Sequence, residues 1–190
     1  DHLTGLSVLN TFSYTGSIGV AALVGGAEAV THLDLNRTFL SVAKRSTQLN
    51  QFHLLKQHYQ TGDFFSRINH FKKTGTLFDC VILDPPSFAK TKRGTIDLAK
   101  NYESLINKVR PLIKNNGILI TINNTLFQTG KDHQDRLLAL CEDGYLSIES
   151  LIPIPEDCIG YCDHTDYLPA DPNPYNHSTK ITVLRVTRKG

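Results

Sequence analysis

The 190-residue sequence contains no methionine, no apolar run approaching the ~18 residues that cross a bilayer, and little net charge, +2 from 20 Lys and Arg against 18 Asp and Glu. The missing apolar run argues against a membrane span. The opening Asp1-His2-Leu3-Thr4 lacks the basic, apolar and small-residue succession of a signal peptide. The absent initiator Met leads us to expect a fragment of a longer protein. A charge of +2 is too mild to indicate a nucleic-acid partner by itself. Cysteine is scarce. Cys80 and Cys141 lie in apolar patterns and read as small core residues. No disulfide framework is visible, which fits a reducing cytoplasm. Cys158, Cys162 and His164 have no second ligand pair at zinc-site spacing, so no metal is expected.

What is present is ordinary for a globular protein: 40% hydrophobic and 20% charged residues, in a length that suits a single domain spanning 1–190. Strand and helix patterns alternate through the first three quarters. Strands are expected over 6–10, 29–33 and 78–83, with a weaker one over 53–57. Helices are expected over 18–24, 38–49, 64–72 and 97–112. Asn115-Asn116-Gly117 turns into a strand over 118–122, followed by a helix over 132–141 and strands over 145–152 and 181–186. This alternation predicts an α/β doubly wound, mostly parallel sheet with helices on both faces. The last two strands are joined by a Pro-rich loop over about 153–175 without helical pattern, which predicts an antiparallel pair at one edge.

The segment Val81-Ile82-Leu83-Asp84-Pro85-Pro86-Ser87-Phe88 runs a non-alternating apolar strand into an acid and two prolines. Such a run reads as a strand buried on both faces. The prolines cannot donate backbone hydrogen bonds and stop it. Asp84 is thereby put at the carboxyl end of a buried strand, the edge where open α/β sheets bind ligands. A plain turn capped by Asp84 is the simpler alternative.

The stretch "VLNTFSYTGSIGVAA" follows the first strand and opens the first helix, the turn that faces the cofactor in a doubly wound fold. Gly16 allows a tight bend, and Ser13, Tyr14 and Thr15 offer polar groups. The glycine spacing is not G-x-G-x-x-G, which counts against a nicotinamide-dependent oxidoreductase. Asp34 ends the second strand, where an acid accepts hydrogen bonds from ribose hydroxyls. Asp63 follows the third strand; it can flank an adenine or equally cap the helix from Phe64 onward.

These pieces, "VLNTFSYTGSIGVAALVGGAEAV", "LDLNRTFLSVAKRSTQLN", "FDCVILDPPSFAKTKRG" and "GILITINNT", resemble in order the class I S-adenosylmethionine-dependent methyltransferases. More narrowly, they resemble the bacterial family that methylates 23S ribosomal RNA on cytosine C5 or guanine N7. The resemblance spans about 6–124. It implies a seven-stranded Rossmann-like sheet, mostly parallel, with an antiparallel last strand. It implies S-adenosyl-L-methionine as cofactor, with Asn10, Phe12, Tyr14, Thr15 and Gly16 around its methionine part. Asp34 would hold the ribose, with Asn36 or Arg37 nearby, and Asp63 and Phe64 would flank the adenine. Asp84 and Pro85 would lie beside the sulfonium and the target base. An upstream RNA-binding region is expected from the same family.

The acceptor chemistry turns on the strand over 118–122. Enzymes that methylate cytosine C5 first add a cysteine thiolate to C6. In the C5 branch of the resembled family that cysteine follows this strand; here the position is Asn124. Asn123-Asn124 is what the guanine-N7 branch carries, and N7 has its own lone pair. The expectation is methylation of a base in ribosomal RNA by a route without cysteine. Asp84, Pro85, Phe88 and Asn124 would act at the acceptor, a flipped base stacking on Phe88. Lys90, Lys92, Arg93 and Lys100 form a basic stretch placed to meet phosphates, or a solvated loop. The alternative is a non-catalytic module that binds S-adenosylmethionine or RNA.

Overall fold

The structure, a computed structural model, describes residues 4–91, 94–97, 101–125, 128–155 and 179–188, and of 88–91 and 94–97 the backbone alone. Seven strands form one sheet: β1 (Ser7–Thr11), β2 (Ala29–Asp34), β3 (Tyr59–Thr61), β4 (Phe78–Leu83), β7 (Ile113–Asn123), β8 (Leu146–Ile152) and β9 (Lys180–Val186), in the order β3-β2-β1-β4-β7-β9-β8. The pairs β1–β2, β1–β4, β2–β3 and β4–β7 are parallel. β9 runs antiparallel to both neighbours, β7 and β8. A separate hairpin, β5 (Phe88–Thr91) with β6 (Gly94–Asp97), follows the prolines.

Among the described residues five helices cover the sheet: α1 (Ser17–Val24), α2 (Arg37–Leu49), α3 (Phe64–Lys73), α4 (Tyr102–Val109) and α5 (Gly130–Cys141). Period-2 alternation along each buried strand divides the core in two. Ala22 and Leu23 of α1 pack with Val8, Val30, Cys80, Ile82 and Ile118 on one face. Phe64, Ile68 and Phe71 of α3, Leu105 and Ile106 of α4 and Leu137 of α5 pack with Leu9, Leu33, Val81, Leu83 and Leu119 on the other. The starts of α2, α3 and α5 are set by side chains that accept from otherwise unpaired N–H groups. Asn36 Oδ1 accepts from Thr38 N at 2.8 Å and Asp63 Oδ1 from Ser66 N at 3.0 Å. Thr129 and Asp132 cap α5 reciprocally.

Four boundaries depart from the sequence expectation. The third strand is Tyr59–Thr61, not 53–57, because the Tyr59 ring stacks on His32 directly across the pair, centroids 5.5 Å apart. A 3-10 turn at Lys56–His58 leads into it. The helix expected from Asp97 starts at Tyr102, since Asp97 belongs to β6. It ends at Val109, where Pro111 supplies no N–H and a 3-10 turn follows. β7 begins early, at Ile113, and Asn115-Asn116-Gly117 is an irregularity within it: the register jumps from Phe78↔Ile113 to Cys80↔Ile118. Of the loop expected over 153–175, only 153–155 are among the described residues.

Close approach of α1 to the sheet rests on glycine. A Cβ on Gly19 would sit 2.3 Å from His32 Cε1, and one on Gly16 (φ +82°) 2.6 Å from Ala43 Cβ. His32 is wholly buried and both ring nitrogens lack a partner. Burial, aided by the nearby His58, lowers its pKa from 6.5 to about 4.

Two expectations follow for stability. Gly19→Ala should destabilise by about 1–3 kcal/mol through overpacking, read from urea melts, whereas Gly25→Ala, with ordinary contacts of 3.4 Å, should change little. Between about pH 6.5 and pH 4 the unfolded chain binds a proton at position 32 that the folded chain refuses. The contribution of His32 to stability therefore falls as pH drops through that window, and His133, likewise lowered to about 4 by burial, adds to the same fall. His32→Phe should reduce the slope in denaturation series from pH 7 to pH 4, leaving the share of His133; an unchanged slope would remove His32 as a source.

Candidate active site

Sheet order reverses between β1 and β4, so the loops leaving their carboxyl ends diverge and open a crevice between them. The β1 loop is tightly held. Thr11 Oγ1 donates to Ile82 O at 2.8 Å, Ser13 N to Leu33 O at 3.0 Å, and Gly16 N to Ser13 O at 2.8 Å. Phe12 and Tyr14 take left-handed backbone angles, φ 53° and 47°, which cost an ordinary residue about 1–3 kcal/mol each. The strain is offset by Asp34 at the end of β2. Its Oδ2 accepts from Tyr14 N at 2.9 Å and its Oδ1 from Asn36 N at 2.8 Å, tying the loops after β1 and β2 together.

Of the residues expected here, Asn10, Phe12, Tyr14, Thr15, Gly16 and Asp34 gather on this edge. Asn10 is buried on β1, and neither its Nδ2 nor Ser13 Oγ has a partner among the described residues. Phe12 stacks on Phe64, centroids 4.7 Å apart, which brings the start of α3 to the same wall. Tyr14 is 58% exposed and meets Phe39 edge-on at 4.4 Å. Asn36 caps α2, and Arg37 is exposed on its first turn. Asp63 caps α3 through Ser66, the simpler of the two roles open to it.

The β4 loop supplies the other wall. Asp84 is half-buried. Burial raises its carboxyl above the ordinary 3.8, and the bond from Asn124 pulls it back in part. That bond is Asn124 Nδ2 to Asp84 Oδ1 at 2.9 Å; Asn124 Oδ1 in turn accepts from Thr179 Oγ1 at 2.8 Å. Pro85, Pro86, Ser87, Tyr102, Asn123 and Asn124 line one small depression. Tyr102 is sealed beneath it: its hydroxyl donates to Ile122 O at 2.9 Å, and burial, then the Asp84 charge, push its pKa up. Asn123, buried, donates from Nδ2 to Gln128 Oε1 at 2.9 Å and faces His133 Nδ1 at 3.3 Å.

Of Phe88 and Lys90 only the backbone, in β5, belongs to the described part. Lys92, Arg93 and Lys100, and Cys158, Cys162 and His164, lie outside the described residues. Among the described residues no His, Cys, Asp and Glu group is arranged to hold a metal. Cys80 lies wholly within β4, its thiol pushed up to about 12 by burial and by Asp79, so it offers no accessible thiolate. Sequence reasoning assigned no role to Tyr102, nor to Thr179, which it named only within 176–180 as a stretch that could contact substrate. Tyr102 was visible only as one more apolar-face residue of its helix. Thr179 is brought to Asn124 across 55 positions by the β7–β9 pairing, which no local pattern announces.

A family model described as S-adenosylmethionine-dependent methyltransferase matches residues 1–136. The ribosomal RNA large subunit methyltransferase I of Tolumonas auensis is 36% identical over 178 residues, covering 94% of this chain and 43% of that protein. Its namesake in Aliivibrio fischeri strain MJ11 is 36% identical over 115 residues, 60% of this chain and 29% of that one. The chain thus spans less than half the length of these relatives. Among solved structures, SMU.776 in complex with SAH superposes with a TM-score of 0.80 at 24% identity, over 97% of this chain and 46% of that one. A SAM-dependent methyltransferase from Agrobacterium tumefaciens superposes with a TM-score of 0.68 at 18% identity, over 97% and 56%. At these identities the superpositions establish the fold. No helix among the described residues is long and apolar enough to cross a membrane.

Replacing Asp34 by Ala should release the Tyr14 and Asn36 amides. Their hydrogen exchange should accelerate about tenfold or more, as expected for losing a bond worth about 1.5 kcal/mol, while amides of β4 keep their protection. Unchanged exchange at Tyr14 would mean that the loop holds itself.

Proposed function

This chain belongs to the S-adenosylmethionine-dependent methyltransferases, and we propose that it methylates a base of RNA, ribosomal RNA in particular, in the cytoplasm. The observation that carries the reading is the facing pair of walls at the switch point. One holds a glycine-turned loop with an orphaned amide and hydroxyl, the other a half-buried carboxylate with an oxygen to spare.

The residues fit the cofactor. Buried polar groups without partners are rare in finished cores, and at the mouth of a crevice a ligand is what can satisfy them. Asn10 Nδ2 and Ser13 Oγ meet that description beside Phe12, Tyr14, Thr15 and Gly16, the residues for the methionine part. Asp34 already accepts two backbone N–H groups, yet each carboxylate oxygen keeps a further lone pair for a ribose hydroxyl. Asn36 and Arg37 stand beside it. Asp63 and Phe64 flank the adenine, Phe64 by supporting Phe12 from beneath. When bound, S-adenosylmethionine supplies an electrophilic methyl group on its sulfonium.

At the acceptor, Asp84, Pro85, Phe88 and Asn124 receive the base. The proline-locked turn fixes the carboxylate in position before substrate arrives, which spares reorganisation during transfer. With Asn124 where a cysteine would be needed and Cys80 sealed, the acceptor atom must carry its own lone pair. A ring nitrogen such as guanine N7 suits. It becomes positively charged on methylation, and the Asp84 carboxylate stabilises that charge. The names of the relatives, ribosomal RNA large subunit methyltransferases, support RNA as the substrate.

Titration calorimetry with S-adenosylmethionine and with NAD should give binding of the methyl donor alone. Asp34→Ala should weaken that binding by ~1–3 kcal/mol. In the full-length protein, Asp84→Ala should lower methyl transfer to ribosomal RNA by about a hundredfold or more, with cofactor affinity nearly unchanged. Wild-type turnover in the Asp84 variant would sink the acceptor assignment, and binding of neither ligand would favour a module without activity.

A further inference from the structure

Asn124 sits between a carboxylate and a hydroxyl. Its amide can be turned two ways, and the choice decides what the site shows an incoming base. With Asp84 ionised, its oxygens only accept, so Nδ2 must face it; Oδ1 then faces Thr179, whose hydroxyl must donate. The reverse orientation sets two acceptors against each other with no proton between them. In the arrangement found, two valences are left over. Asp84 Oδ2 accepts nothing from the described residues, and the second Nδ2 hydrogen of Asn124 is likewise unused.

Asn124 is exposed and lies just past the end of β7, so its side chain is free to rotate unless held. The Asp84 bond alone leaves several rotamers competing in water. The second anchor comes from the residue immediately before β9, half-buried and fixed by the antiparallel pairing whose first rung is Asn123↔Lys180. Lys180 adds a nearby clamp, donating from Nζ to Thr125 O at 3.0 Å. The arrangement couples the last strand of the sheet to the carboxylate on β4 through a single amide.

We infer that Thr179 is a positioning residue for methyl transfer: by donating to Asn124 Oδ1 it fixes the Asn124 amide, which presents an acceptor on Asp84 beside a donor on Asn124 to the acceptor base. The inference rests on the acceptor assignment made above. A site with one acceptor and one donor in reach matches a heterocycle edge that carries a donor beside an acceptor. It disfavours an edge of acceptors only, which would leave the Asp84 oxygen buried against a like group.

The test uses full-length protein with Thr179→Val, which keeps the shape and removes the hydroxyl, and Thr179→Ser, which keeps the donor. Two readouts are taken. One is the side-chain amide of Asn124 in 15N-labelled protein, where the proton bound to the Asp84 carboxylate resonates downfield. The other is kcat and KM for methyl transfer to ribosomal RNA. Thr179→Val should lose the downfield proton and lower kcat about tenfold, as removal of one hydrogen bond implies, with the KM for S-adenosylmethionine and the melting temperature near wild type. Thr179→Ser should restore both readouts. An unchanged amide resonance and kcat in Thr179→Val would overturn the inference, as would Thr179→Ser behaving like Thr179→Val. If wild-type protein transfers no methyl group to RNA, the acceptor assignment fails by itself, while the amide resonance still decides whether Thr179 orients Asn124.

Discussion

Two missing Cβ atoms govern how the cofactor-facing half of this fold is put together. Gly16 and Gly19 let α1 lie directly on the His32 ring and on Ala43 of α2. Any side chain at those points would lift the helix away from β2. With the helix down, the β1 loop must turn within five residues, and it does so by spending left-handed backbone angles at Phe12, Tyr14 and Gly16. That turn brings the Tyr14 amide over the end of β2, within reach of Asp34. The carboxylate is then shared between two loops, and Asn36 is delivered to cap α2. Helix packing, loop strain and the placement of one acid are consequences of the same close contact.

The opposite wall is assembled differently. No glycine turns the chain after β4; two prolines do, by withholding N–H groups and restricting φ. Rigidity there comes from depth. Tyr102 sits beneath the turn and bridges toward both Ile122 and the Asp84 loop, and the β7 terminus contributes Asn123 inward and Asn124 outward. The first wall leaves polar groups unpartnered, and the second leaves one carboxylate oxygen unused. Finished cores rarely leave such valences open; besides the rings of His32 and His133, the described residues leave them on the two walls where strand order reverses.

Much of this was readable from sequence because it is written locally. The apolar runs at 78–83 and 118–122 marked buried strands, Asp84 before Pro85-Pro86 marked a carboxyl end, and Gly16 before "SIGVAALV" marked the first turn. The final antiparallel strand was legible from a long connection without helical pattern. What escaped depends on partners far away. Tyr59–Thr61 takes its place in the sheet through pairing with β2, where Tyr59 stacks on the ring of His32, a partner well upstream in the chain. The irregularity at 114–117 arises from pairing with β4, where Gly117 alone fits against Asp79 O and Ile113. The β5–β6 hairpin interrupts a stretch whose apolar spacing looked helical. Thr179 belongs to the site only because β9 is slotted beside β7.

That slotting also sets a condition on assembly. β7 is synthesised long before β9, yet the sheet closes only when β9 enters between β7 and β8. Until then the rim of β7 presents unpaired N–H and C=O groups, and β8 has no place in the sheet. The β7–β9 ladder is non-local, as is the β1–β4 ladder, and both must meet loop closure before they give anything back. A chain in which β9 has not entered the sheet therefore lacks Thr179 beside Asn124, and its acceptor wall is incomplete.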